Sequence, residues 1–97
     1  MASDFDKVVE RVLVLKDEKT GQQQQVIIEI GRPYWTEPDM EAACPVAIEG
    51  LLPRREDIRG IDPFNALELA IGFINSFLSK LPKTQKLEWL SGDDYFE

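Results

Sequence analysis

Apolar residues along this chain recur with two different spacings, and each spacing predicts an element. Val8 to Lys16 reads Val-Val-Glu-Arg-Val-Leu-Val-Leu-Lys, a run rich in β-branched side chains that suits a pleated surface and predicts a strand. It ends in the polar stretch Lys16 to Gly21, where Gly21 supplies the turn. Beyond Gln22 to Gln25, Val26, Ile28 and Ile30 share one side of an extended chain by their period of two, so the two runs predict an antiparallel hairpin. Gly31-Arg32-Pro33 closes the second strand, because proline donates nothing to a ladder and restricts the residue before it. Tyr34 to Glu41 has no clear period and is expected to be an exposed connection. A third strand is expected from Ala43 to Glu49, with Cys44, Val46 and Ile48 alternating against Pro45, Ala47 and Glu49. Pro45 argues for the first residues of that strand or for an edge. Gly50 to Gly60 carries Pro53, Arg54, Arg55, Glu56, Asp57 and Arg59, the composition of a loop with room for one short helical turn.

The clearest signal follows. Asp62 before Pro63 reads as an N-cap and first helical residue: the carboxylate accepts a free amide, and proline's missing donor is harmless there. Leu67, Ile71, Ile74, Leu78 and Leu81 then recur at helical spacing, and Phe64, Ala70, Phe73 and Phe77 widen the stripe, which predicts a buried helix. From Pro63 to Leu81 it would span about 19 residues, roughly 28 Å at ~1.5 Å each. Pro82 stops it, with Lys80 and Lys83 at the negative end of its dipole. Lys86 to Leu90 offers a last short strand. This order predicts a single α+β domain over residues 1–97. Its sheet would be small, antiparallel or mixed, of three to four strands, with one long helix from the C-terminal half packed across one face.

Composition agrees with one core: 97 residues, 43% hydrophobic and 30% charged, fit an ordinary globular domain too small to divide. Eighteen acids against eleven Lys and Arg give a net charge of -7, which opposes direct binding to nucleic acid or to anionic membranes. Histidine is absent, and with it go the commonest general base, the usual triads and every His-containing zinc site. The single cysteine, Cys44, cannot form an internal disulfide and fits a reducing compartment, so the cytoplasm is the expected location. Met1 to Lys7 holds Asp4 and Asp6 and lacks a signal-type apolar stretch, and no window approaches the roughly 18 apolar residues of a membrane span.

The remaining chemistry is sparse. Cys44 has no cationic neighbour in sequence to activate it and reads as a buried structural thiol. Asp93, Asp94 and Glu97 match no calcium-loop spacing and read as a solvated acidic patch. The glycines are dispersed singly, so neither phosphate-binding glycine motif occurs. Arg54, Arg55 and Arg59 offer a phosphate clamp, but Glu56 and Asp57 between them favour a salt-bridged loop. No catalytic residue, metal ligand or cofactor is therefore assigned. What is left is surface. Tyr34, Trp35, Glu37, Asp39 and Glu41 combine aromatic anchors with an acidic rim, which suits a basic protein partner. Asp93, Asp94 and Glu97 form a second such patch. Trp35 reads equally as exposed anchor or as core, and Trp89 shares that ambiguity.

Ala43-Cys44-Pro45, Gly60-Ile61-Asp62, Asn65-Ala66-Leu67 and Leu87-Glu88-Trp89-Leu90-Ser91-Gly92-Asp93-Asp94 together resemble a family of small bacterial proteins catalogued as a domain of unknown function. The likeness spans most of the chain. That family's pattern has an N-terminal hairpin, a Cys before the third strand, a Gly-hydrophobic-Asp helix start and a closing Leu-x-Trp-Leu-x-Gly block. This chain departs from it in Pro63 and Phe64 after Asp62 and in a shorter, more acidic end. The resemblance implies bacterial origin and fold, and it carries no catalytic residue. The shared positions read as scaffold: a cap at Asp62, close helix approach at Ala66 and Ala70, filling by Trp89 and a turn at Gly92.

The expectation is a non-enzymatic binding module, of the inhibitor or immunity type, that neutralises a basic partner such as a bacterial toxin. An acidic surface mimicking nucleic acid is a related reading, weakened by the interspersed cations. A small enzyme or ligand carrier is the alternative, with a pocket between helix and sheet and polarity from Arg54, Arg55, Arg59 or the terminal acids. A homo-oligomeric scaffold is another, dimerising through a strand edge near Pro45 or along Val8 to Lys16.

Overall fold

The computed structural model describes residues 5–96. Strands β1 (Lys7–Asp17) and β2 (Gln23–Gly31) come first, then β3 (Tyr34–Glu37), β4 (Glu41–Glu49) and β5 (Glu56–Gly60), and last helix α1 (Pro63–Ser79) and β6 (Gln85–Glu88). β1 and β2 form the expected antiparallel hairpin, in register from Val9↔Ile30 to Lys16↔Gln23. Its turn holds Gly21 at φ +76°, and the Asp17 carboxylate accepts the Lys19 amide at 2.9 Å, a local bond typical of aspartate in turns.

The segment expected as a loop after Pro33 is a strand. β3 pairs with β4 through Tyr34↔Ala43, Trp35↔Ala42 and Glu37↔Glu41. Further along β4, β2 pairs through Ile30↔Val46 to Ile27↔Glu49. β5 pairs with Ala42 to Val46, overlapping both stretches, so it occupies the opposite edge of β4. β2 and β3 are therefore two parts of one line, broken at Arg32-Pro33. The period of two was hidden by that break and by a second irregularity between Trp35 and Glu37.

β5 is the other correction, because Gly50 to Gly60 was expected to be a loop. Glu56, Asp57 and Arg59 are exposed while Ile58 is partly buried, the pattern of a charged outer strand. The sheet thus has six strands rather than three to four, all antiparallel, in the order β5-β4-β2-β1-β6 with β3 extending β2. Pro45 is not at an edge. It lies in an interior strand, at the step where β4 exchanges β2 for β3, and it crowds Gly31, where an added Cβ would come within 3.0 Å of the proline ring.

The helix begins as expected and ends earlier, giving 17 residues, about 25 Å in length rather than a long span over the whole sheet. The Asp62 carboxylate accepts the Asn65 amide at 2.7 Å, and the Asn65 side-chain oxygen accepts the Ile61 amide at 3.0 Å. This exchange works like a capping box displaced by one residue. Gly60 allows the arrangement, since a Cβ there would sit 2.6 Å from the Ala66 nitrogen.

Only Ala66, Ala70, Ile74 and Leu78 are buried on α1. Phe64 is 72% exposed and Ile71 45%, so the helix is not buried all round, and its inner face turns about the two alanines. The reason is distance: α1 packs on β4 and β5, where small side chains let backbones approach. The core joins those residues to Leu13, Leu15, Val26, Ile28, Ile30, Ala42, Cys44, Val46, Ile48 and Leu87.

Five strands abreast, at about 4.8 Å each, are wider than one helix of about 10 Å can cover. The C-terminal segment shares the task. β6 pairs with Val14 to Asp17 and stops before Trp89, where the chain turns through Gly92 at φ +97° and returns with Tyr95 donating its amide to the Leu87 carbonyl at 2.9 Å. Trp89 and Tyr95 then lie with ring centroids 5.0 Å apart.

Candidate functional site

The β3–β4 hairpin brings five of the sequence-predicted residues together. Its turn is Glu37-Pro38-Asp39-Met40, closed by the Met40 amide on the Glu37 carbonyl at 2.9 Å. Proline second and Asp39 third at φ +61° make this a type II turn, with aspartate where glycine is usual. Glu37 and Asp39 are exposed and enter no ion pair among the described residues.

Tyr34 and Trp35 are neighbours on a strand and so face opposite sides of it. They are 43% and 44% exposed, which places Trp35 outside the core. Trp89 is 38% exposed, stacked rather than enclosed.

Glu41 differs from the other acids of the hairpin. Thr36 Oγ1 donates to its carboxylate at 2.6 Å and Arg59 Nη1 at 2.9 Å. The threonine hydrogen bond first, and the guanidinium second, hold this carboxyl below the ordinary glutamate range. Glu41 therefore braces β3, β4 and β5 and is not a free acid at the rim.

The second acidic patch is separate. β6 sits beside Val14 to Asp17, the end of the sheet away from β3. There Lys86 Nζ lies 3.4 Å from Asp94, and Ser91 Oγ donates to Asp93 at 3.2 Å. Glu97 lies outside the described residues. The two acidic groups do not form one continuous face.

The arginines do not converge either. Arg59 is taken by Glu41 at 2.9 Å. Arg55 is 4.0 Å from Asp57 and its guanidinium stands 5.7 Å from the Phe5 ring. Cys44 is fully buried, with Sγ 3.7 Å from the Gly31 carbonyl oxygen. Burial, and then the nearby Asp57 charge, push its thiol pKa up, which suits packing and not nucleophilic attack. Among the described residues no group of three or more His, Cys, Asp or Glu could hold a metal ion, and no helix is long and apolar enough to cross a membrane.

Sequence reasoning passed over Arg11. By the period of two it belongs with Val9, Leu13 and Leu15 on the inner face of β1, and a cation at an inward strand position is a signal legible in the sequence. In the fold it faces a groove of about 330 Å³ between α1 and the β1–β2 hairpin.

No curated protein and no solved structure matches this chain. A family model does, over residues 9–96, a span that takes in all of β1 but its first two residues, every later strand, the helix and both acidic patches apart from Glu97. The chain thus belongs to the family described as a domain of unknown function, DUF6968.

Proposed function

We propose that this protein is a non-enzymatic docking module that engages a basic protein partner through the β3–β4 hairpin, in the manner of immunity-type inhibitors of bacterial toxins acting in the cytoplasm. The observation that carries the reading is the hairpin itself: half-exposed Tyr34 and Trp35, one on each of its faces, and at its tip Glu37 and Asp39, two acids with no ion-pair partner among the described residues. Such a patch joins a low-entropy aromatic anchor to an uncompensated negative rim. The net charge of -7 adds long-range attraction toward a cationic surface. Glu41 is excluded from the contact set because Thr36 and Arg59 already occupy it.

The test uses Glu37→Lys with Asp39→Asn, since asparagine tolerates the positive φ of the turn while removing its charge. Wild-type and variant protein are immobilised side by side and exposed to lysate of the native cell. Basic proteins retained by the wild type and lost by the variant support the reading, and their association with the variant should be slower by about tenfold or more at low ionic strength. Equal retention and equal on-rates refute it.

A further inference from the structure

We infer that the groove between α1 and the β1–β2 hairpin binds a small amphipathic carboxylate, with its apolar chain on the isoleucine floor and its carboxyl group on Arg11. The site is independent of the hairpin patch. Its volume of about 330 Å³ lies at the lower end of the range for small-molecule sites. Ile28, Ile30 and Ile74 make the floor and are nearly buried, while Val9 and Ile71, 54% and 45% exposed, make the open walls. The groove exists because the sheet is wider than its single helix: Ile28 and Ile30 of β2 meet Ile74 of α1 at its floor, and the walls at Val9 and Ile71 stay open.

Arg11 defines what fits there. Its guanidinium lies 5.1 Å from the Trp89 ring centroid and 5.8 Å from that of Tyr95, and Nη1 donates to the Tyr95 hydroxyl at 2.9 Å. Stacking and this hydrogen bond fix the planar group while leaving most of its five N–H donors unused. None of the described carboxylates forms an ion pair with it. Glu10, at the same rim, is held by Lys7 at 2.6 Å. A fixed fork with free donors matches a carboxylate in two-pronged fashion. One cation on a chain of net charge -7 selects a singly charged head group over a phosphate ester. Apolar floor and single cation together specify a monocarboxylate with an aliphatic or aromatic body.

Decanoate, kept below its aggregation concentration, is the probe, and decanol is its neutral counterpart. Methyl NMR should show saturable shifts at Ile28, Ile30, Ile71 and Ile74 with decanoate, and Trp89 emission should change in parallel. Decanol should bind about tenfold or more weakly, the loss expected for a charge-assisted hydrogen bond. Arg11→Gln should lose a similar factor for decanoate. Ile71→Glu, at the exposed wall, should abolish binding while the methyl shifts of buried Val46 stay native, which separates loss of the site from loss of the fold. Equal affinity for decanol, undiminished binding by Arg11→Gln, or an absence of groove shifts overturns the proposal. So does a groove whose methyl shifts follow protein concentration alone, since a second copy of the chain would then be its occupant.

Discussion

Glu41 has two tasks at once, and each leaves a measurable trace. Thr36 bonds its carboxylate across the bulged end of the hairpin, and Arg59 bonds it from the neighbouring strand. Because its folded pKa lies below the unfolded value, the bonded carboxylate favours the native state above the ordinary glutamate range. That contribution is lost as pH falls through the folded pKa. Carboxyl-carbon NMR should therefore find Glu41 titrating below an ordinary glutamate, and Thr36→Val should move it upward. An unchanged titration in Thr36→Val would show that the hydroxyl is not the cause. Residue identities of this kind were partly legible in advance. Asp62 before Pro63 declares a cap by its chemistry, whereas Asn65 is recognisable only once the Ile61 amide is seen to need its acceptor. Glu41 looked like a rim acid because nothing local in the sequence reveals Arg59 on the neighbouring strand.

At the scale of elements, α1 shows how spacing gives the existence of a helix without giving its face. Apolar residues occupy more than half of its circumference, so several rotations satisfy the pattern equally. The fold selects the one with Ala66 and Ala70 inward, where α1 can approach β4 and β5. This choice predicts unequal costs for truncation. Leu78→Ala should lose about 2–5 kcal/mol through a cavity, while Phe64→Ala should stay within about 0.5 kcal/mol of wild type, both read from urea midpoints. Comparable losses at the two positions would mean that the helix is rotated from the orientation described. The short strands were illegible for a different reason. β3 and β5 are edge pieces of four and five residues, and their charged positions serve solubility at an open edge, which erases the alternation that marks a half-buried strand. β1, β2 and β4 pack a full face against the core and therefore show it.

On the scale of the whole molecule, one helix is asked to cover a sheet about twice its width, and the returning segment with Trp89 and Tyr95 completes only part of the second layer. The strand count could not be read from composition, and so neither could the groove beside the helix. The centre of the molecule is closed by contrast. Cys44 lies in an interior strand, paired with Ile58 of β5 on one side, at the step between β2 and β3 on the other, and packed in the core with the inner residues of the helix, with no exposed surface. A chemical reagent that attacks thiols can reach it only when β4 separates from its neighbours, and its raised pKa slows the reaction further in the closed form. This gives the protein a single built-in clock. The half-life for modification by a disulfide reagent should lengthen with every stabilising change elsewhere in the chain and shorten with Leu78→Ala, following the population of opened molecules where reclosing outpaces labelling. Rapid labelling at native stability would mean that this strand parts from the sheet without global unfolding.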